Sequence, residues 1–514
     1  MNVKYSRCMS RRALAAAAAL CFALAAPAQT RPYDRVLRDN PWLSGSNAAG
    51  LREVRTTDIS YAELYGGIES GGLRRTWESP SPWEAGAEAR TVKHLERFSM
   101  KGGFSFGQMS GSEMCGSMSI RPGYFPLDVL EFTPGHKTRQ TYAFDGGVSV
   151  DLSGGWRIGA SMDFTSANYA KRKDLRHTDY LLDMTVTPGI TYTVPSGGLT
   201  LGVNYLYRKT GESVVAEQVG TGGSSYYAFL DKGLMYGKYE VWSGSGVHLD
   251  EAGVQGFPMQ EQFHGVGLQV GGGSEYYADI AYLYGSGSAG EKQSVWYRFP
   301  SHNVTAGITS VFRLPGRTVY LRESFGWRYQ TNNETVLEKV VSGGVTLTEE
   351  YGSNRILARE LMGSRLEAEV VRPGFEYVLA LEVSTGETTV SQIYPYVTES
   401  ETLTGRLSFA PAWYKGRFDF GGCVGFGAGR VKETDSLAAE DSGVQTAPFR
   451  LQEYYDLETL YRTAPKADVS AFLRWNLPRG LYAEADGSFR HAFGATFPDG
   501  SSRLSATLII GCNF

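Results

Sequence analysis

The last eleven residues, Leu504-Ser505-Ala506-Thr507-Leu508-Ile509-Ile510-Gly511-Cys512-Asn513-Phe514, alternate with a period of two. Every second residue from Leu504 to Phe514 is apolar, the residues between are mostly small or polar, and the last residue is aromatic. Period two is the signature of a strand, whose successive side chains point to opposite faces. A strand so divided needs an apolar surrounding on one side and a polar one on the other. Only 42% of the chain is hydrophobic, so a wall of such strands between lipid and a polar lumen leaves the average composition unremarkable.

The pattern recurs upstream. Trp156, Ile158, Ala160, Met162 and Phe164 share one face, with Arg157, Gly159, Ser161, Asp163 and Thr165 on the other. It returns at Leu199/Leu201/Val203/Tyr205/Tyr207, at Phe375/Tyr377/Leu379/Leu381/Val383 and at Leu481/Ala483/Ala485/Gly487/Phe489. Each segment has the length of a tilted membrane-spanning strand, near 10 residues. Glycine or proline marks the turns: Ser153-Gly154-Gly155, Ser196-Gly197-Gly198, Gly271-Gly272-Gly273, Pro315-Gly316, Pro373-Gly374, Lys415-Gly416 and Pro478-Arg479-Gly480. Longer polar stretches, 211–257, 331–361 and 431–465, alternate with them, as extracellular loops alternate with periplasmic turns. These turns give fourteen strands. A strand near 98–108 and the C-terminal one make sixteen, and a hairpin within 54–93 would make eighteen. The expected fold is all-β: a transmembrane antiparallel β-barrel of about 16–18 strands with an N-terminal periplasmic or plug segment. A β-sandwich also alternates but rarely needs such regular short and long connections. Trp156 and Phe418 follow short turns, Trp413 and Trp475 precede them, and Trp327 and Tyr329 lie at the far end of their strand, as in interfacial belts.

Lys4, Arg7, Arg11 and Arg12 precede an apolar run, Ala13–Ala25, and Ala26-Pro27-Ala28 offers a cleavage site. This is the layout of a secretory signal peptide, with cleavage expected near Ala28. Three units follow: 1–28 signal peptide, 29–93 lead-in or plug with room for a first hairpin, and 94–514 barrel. Loss of the leader takes the net charge from −4 to about −8, which gives no support to nucleic-acid binding. Cys115, Cys423 and Cys512 remain, an odd count at wide spacing that argues against a disulfide framework or a zinc site.

Residues 29–93 carry Asp39-Asn40-Pro41-Trp42, then Asn47-Ala48-Ala49-Gly50-Leu51, where Ser46 or Asn47 can cap a short helical turn ended by Gly50. Asn47-Ala48-Ala49-Gly50-Leu51 ahead of a first strand resembles the NPAGL-type element of outer-membrane long-chain fatty-acid channels, with Ala48 where those channels have proline. There the element sits in an N-terminal hatch, which implies a plug. The whole chain resembles the uncharacterised outer-membrane β-barrel proteins of Bacteroidota-type bacteria. These share a signal peptide, the early Asn-Pro and Asn-Ala-Ala-Gly-Leu segments, and a barrel running to a C-terminal Phe; no established activity comes with the likeness. Phe514 closing an alternating strand resembles the signal read by the barrel assembly machinery. Outer-membrane lipid and that machinery are the expected partners.

Candidate chemistry is sparse. None of the histidines, His94, His136, His177, His248, His264, His302 and His491, pairs at metal-ligand spacing. His491 lies near Glu484 and Asp486 but on the lipid-facing register, so a rim histidine is the simpler reading. Gly285-Ser286-Gly287-Ser288-Ala289-Gly290 matches G-x-G-x-x-G but leads into no helix, so it is read as an extracellular loop. Neither a catalytic site nor a cofactor is expected.

Inward charges are more informative. By parity Arg157, Asp163, Arg322, Arg328, Arg365, Glu367, Glu369, Glu376, Glu382, Arg406, Arg417, Asp419, Arg474, Glu484, Asp486 and Arg490 line the lumen. On the lipid face each would cost a few kcal/mol. They either pair and brace the barrel or line a wet pore. Two functional classes follow: a passive channel or binding barrel for a small or amphipathic solute, and a structural, adhesive or secretion-accessory barrel whose loops bind partners.

Overall fold

The computed structural model describes residues 32–53, 58–195, 198–219, 226–234, 239–243, 254–291, 294–342, 345–391, 397–435 and 451–514. Residues 1–28, expected to be a signal peptide, and Ser196-Gly197 lie outside them. Among the described residues three α-helices occur: α1 (Pro32–Asp39), α2 (Pro41–Ser44) and α3 (Leu451–Thr463). The strands are β1 (Ile59–Ser70), β2 (Trp83–His94), β3 (Phe98–Ser117), β4 (Asp128–Asp151), β5 (Trp156–Lys171), β6 (Arg176–Thr193) and β7 (Leu199–Glu217), then β8 (Tyr227–Asp231), β9 (Tyr239–Ser243), β10 (Val254–Gly272), β11 (Tyr276–Glu291), β12 (Ser294–Arg298), β13 (Ser301–Leu314) and β14 (Arg317–Ser342). The chain ends with β15 (Val345–Arg372), β16 (Phe375–Ser391), β17 (Val397–Lys415), β18 (Phe418–Asp435), β19 (Lys466–Asn476), β20 (Leu481–Ala492) and β21 (Ser502–Asn513).

Eighteen strands form a closed antiparallel barrel, leaving β8, β9 and β12 as additions at one end. Sequential neighbours pair, β7 pairs with β10 and β11 with β13, and β1 closes on β21 from Tyr61↔Asn513 to Ser70↔Leu504. Beyond that register, Ser60 and Phe514 exchange both backbone hydrogen bonds at 2.9 Å. The first hairpin, β1–β2, therefore belongs to the wall, and the barrel begins at Ile59 rather than at 94. The next turn, Leu95-Glu96-Arg97, contains neither glycine nor proline, which is why punctuation alone does not find it. Gly316 stands at φ 72°, a left-handed conformation that costs glycine nothing and lets Pro315-Gly316 reverse the chain in two residues.

Four stretches expected to be loops are strand or helix in whole or in part. The 331–361 stretch is not a loop but the upper part of the β14–β15 hairpin. Beyond the membrane the outward face of a strand meets water while the inward face here buries polar groups such as Asn332 and Arg359, so polar residues carry no signal of a break. The stretches 211–257 and 431–465 likewise begin inside β7 and β18, and the second contains α3. The Gly285–Gly290 run lies in β11, where a side chain on Gly287 would meet the Phe299 ring at 2.0 Å. Glycine there is a packing requirement.

The two faces separate cleanly. On β21, Leu504, Leu508 and Ile510 are exposed, the last two at 68%, whereas Ile509 points inward and is 1% exposed. The exposed set continues round the outside through Ile158, Met162, Leu268, Ile280, Leu366, Leu379, Leu407, Phe426, Val469 and Leu473. Trp156 packs on Tyr192 at 4.6 Å and Trp413 stacks on Phe420 at 5.5 Å, both beside short turns, forming an aromatic belt. Glu323 is a departure: it is exposed on the outward face, in register with Ile308 and Leu366. Acidic residues are tolerated better than basic ones on a lipid face.

Candidate functional site

An eighteen-strand barrel is too wide for its own side chains to fill. Two sets of residues enter it. Residues 32–53 occupy the short-turn end, the periplasmic side in barrels of this kind. Asn40 caps α2 by accepting from Trp42 N at 3.1 Å, with Pro41 at the first helical position. Asn47 caps the 3₁₀ turn Ala48–Arg52 by accepting from Ala49 N at 3.1 Å; the turn runs past Gly50. The Asn47 amide nitrogen also donates to Ile190 O, Val203 O and Gln269 Oε1 at 3.2, 3.2 and 2.9 Å. Ala48, Ala49, Gly50 and Leu51 are all buried.

The wall is shaped to receive this segment. A Cβ on Gly159 would lie 2.4 Å from Ala49 N, so only glycine allows the backbones to meet. Lys101 Nζ donates to Leu43 O at 2.8 Å and Ser149 Oγ to Ala49 O at 2.8 Å. Arg38 pairs with Glu369 at 2.9 Å, Arg35 with Glu376 at 2.8 Å, and Arg157 with Glu53 at 2.5 Å. Trp42 is fully buried and meets Tyr277 edge-on at 4.9 Å.

At the long-loop end, residues 118–127, β8, β12 and their wall neighbours form one apolar cluster, with Met118, Tyr124, Phe125, Leu127, Leu230 and Phe299 buried in it. A second cluster joins Leu130 and Phe229 to Leu451, Tyr454 and Tyr455 of α3. Glu458 of α3 is fully buried, with Arg75 Nη1 3.5 Å away. Burial pushes its carboxyl up to about 7, against the pull of Arg75 and Arg462. A carboxyl raised in the docked state binds its proton more tightly there, so docking of α3 is most favourable below pH 4.5 and weakens as pH rises through 7. The full span is about 3 kcal/mol. Hydrogen exchange of the α3 amides, corrected for its intrinsic pH dependence, is expected to quicken between pH 5 and 8. The Glu458→Gln variant should not show this; equal pH dependence in both would remove Glu458 as the cause.

The inward charges largely pair. Arg322 bonds Glu367 and Glu369 at 3.0 and 2.6 Å, Arg365 bonds Glu367 at 3.0 Å and also Glu382, and Arg406 pairs with Asp468 at 2.8 Å. Arg474 pairs with Glu484 at 2.7 Å and Arg328 with Glu261 at 2.8 Å. Asn476 donates to Asp419 at 2.8 Å, and Arg490 to the Tyr461 hydroxyl at 3.3 Å. Asp163 stands in register with Asp145, and Asp486 lies between Glu484 and Arg490 on the inward face of β20. Arg417 is misplaced by the parity count: it lies in the turn between β17 and β18 and is exposed at the rim. His491 bonds Ser502 at 2.8 Å and stacks on Phe489. Sequence reasoning missed Asp183, Arg208, Glu212 and Glu261; Arg208 alternates with Tyr207 and the same parity, carried one residue further, would have reached it.

A closed antiparallel barrel with an apolar outer band, aromatic belts and a charged interior is a transmembrane β-barrel of the outer-membrane class. Residues 48–514 match DUF6850, a family of unknown function, and the chain belongs to that family. No curated protein matches it in sequence. Among solved structures the barrel is similar to BauA, the ferric preacinetobactin receptor of Acinetobacter baumannii, at 8% identity over 90% of this chain and 80% of that chain, with a TM-score of 0.41. It is similar to the Escherichia coli outer-membrane transporter YddB at 9% identity over 90% and 81%, TM-score 0.42. A mutant of TodX, a monoaromatic hydrocarbon channel, matches at 10% identity over 91% and 93%, TM-score 0.31.

Proposed function

We propose that the protein is a gated passage for a small or amphipathic solute in the bacterial outer membrane, with residues 32–53 as a plug in the periplasmic mouth. The observation that carries this reading is the seating of Asn47–Leu51 among inward residues of β4, β5, β6, β7 and β10. A braced wall needs no such insert, whereas a passage needs something movable to close it. The likeness of Asn47-Ala48-Ala49-Gly50-Leu51 to a hatch element points the same way. Export by residues 1–28, cleavage near Ala28 and recognition of Phe514 by the assembly machinery belong to the same proposal. The second reading, a structural or adhesive barrel, draws on the paired inward charges and the α3 cap. Reconstituted full-length protein in planar bilayers separates the two. Discrete openings under voltage are expected of a passage; a barrel that stays silent across voltage and pH would favour the structural reading.

A further inference from the structure

Residues 118–127 cross from β3 to β4 by folding inward, and they are held on two sides. Towards β6 and β7, Arg121 bonds Glu212 at 2.6 Å, Asp183 at 2.9 Å and Thr210 at 2.8 Å. Towards β15, Arg359 donates to Gly123 O at 2.8 Å and Tyr124 O at 2.5 Å. The third partner of Arg359 is Gln330 Oε1 at 3.0 Å. Arg359 is 4% exposed, and all three of these partners are neutral. A buried guanidinium normally meets a carboxylate, because a lone buried charge is costly.

Its neighbours carry the same imbalance. Arg328, Gln330 and Asn332 succeed one another on the inward face of β14, and Gln330 is in register with Arg359. All three are buried. Arg328 gives one nitrogen to Glu261 at 2.8 Å, but its Nε and Nη1 meet no acceptor, nor does Gln330 Nε2. Both amide atoms of Asn332 are likewise without a partner. The Tyr124 ring lies among the guanidinium groups of Arg121, Arg328 and Arg208, at 4.0, 5.0 and 5.6 Å from its centroid. Four unfilled donors against one unfilled acceptor describe a surface made for oxygen atoms.

We propose that Arg359, Arg328, Gln330 and Asn332 form a seat for a carboxylate group, and that the carbonyls of Gly123 and Tyr124 stand in for its two oxygens while the loop is down. Two oxygens side by side on one guanidinium fork is the geometry of an arginine–carboxylate pair, and an ionised acceptor binds that fork more strongly than a neutral one. A carboxylate-bearing solute arriving from the long-loop end displaces the loop and takes over the Arg359 fork, and the unpartnered donors of Arg328, Gln330 and Asn332 line the inward face beside it. The seat deepens the passage reading and rests on it for its purpose, but not for its detection.

Binding is measured on the full chain folded in detergent, so no current is needed. Succinate is titrated calorimetrically at constant ionic strength, with inorganic phosphate and glucose as comparison probes. Saturable heat with succinate and none with glucose is expected. Arg359→Lys removes the fork and should weaken succinate by more than about tenfold. Asn332→Leu replaces an unpartnered buried amide, should fold at least as well as the parent, and should also weaken binding. Tyr124→Ala loosens the competing loop and should tighten it, which a merely structural loop would not do. No saturable succinate binding in the Tyr124→Ala protein overturns the seat, as does affinity unaltered by Arg359→Lys and Asn332→Leu. Preference for phosphate over succinate overturns the carboxylate assignment. A silent barrel that still binds succinate overturns the passage and leaves the seat.

Discussion

Deleting residues 32–53, with residues 1–31 retained, is expected to raise single-channel conductance by more than about tenfold and to sensitise cells to bulky antibiotics. The segment contributes Trp42, Leu43, Ala48, Ala49 and Leu51 to the interior, all at most 1% exposed. What it leaves behind is a mixture of polar groups and the wall residues Tyr61, Val92 and Tyr277. Glu369 and Glu376 lose Arg38 and Arg35 but gain water, and Glu369 keeps Arg322 at 2.6 Å. The wall closes without the segment, through the β1–β21 pairing, so the barrel should still form and still migrate faster before boiling than after. Gly159→Leu provides a second approach with the chain intact. Its side chain must occupy the space of the Ala49 backbone, so the insert is displaced and conductance rises. Unchanged conductance in both variants would rule out a plug at this end and place the seal in the opposite cap.

The second large effect is at Arg474. Both its Nε and Nη2 lie 2.7 Å from Glu484 Oε2, and its guanidinium lies 4.4 Å from the Tyr482 ring centre. Arg474 and Glu484 are 2% and 3% exposed. Arg474→Leu takes the arginine away from a buried carboxylate and should cost about 3–5 kcal/mol, whereas removing both partners in Arg474→Leu/Glu484→Leu should recover most of that. On the other face, Leu473→Lys places a charge in lipid and should cost ~2–4 kcal/mol. Urea unfolding in detergent or lipid vesicles reads all three. A double variant as unstable as the single one would mean the pair contributes more than mutual neutralisation. A harmless Leu473→Lys would mean that Leu473 does not face lipid.

The wall was legible because lipid imposes a strict rule on every second residue, and Leu504 to Phe514 or Trp156 to Phe164 obey it without exceptions large enough to hide the period. Its ends were not. Above the membrane Asn332, Asn333 and Glu334 remain in a strand although nothing apolar marks either face, and Leu95-Glu96-Arg97 turns the chain without the usual residues. Among the inward charges, parity places Arg322 or Glu367 inside but cannot pair them, since partners lie on neighbouring strands whose register depends on turn lengths. The Asn47 cap was visible as a local pattern, yet its reach to Gln269 spans 222 residues. Arg359 was out of reach altogether. Its role depends on a connection folding back into the lumen, and nothing in Ile120-Arg121-Pro122-Gly123-Tyr124 distinguishes inward from outward.

The seam between β1 and β21 also dictates a sequence of events in time. Its last hydrogen bonds join Ser60 to Phe514, far apart in sequence, so no other contact in the wall has to wait for so much polypeptide. The chain-entropy penalty of joining ends grows only slowly with length, but it falls to almost nothing once the intervening strands have already zipped together as hairpins. A wall zipped together hairpin by hairpin in this way is an open, curling sheet whose two free edges are the first and last strands. An edge of that kind is sticky until it is met. Residues 32–53 precede the first edge directly, so they are beside the gap while it is still a gap. The insert can be laid against the curling sheet sideways, before there is any mouth to thread.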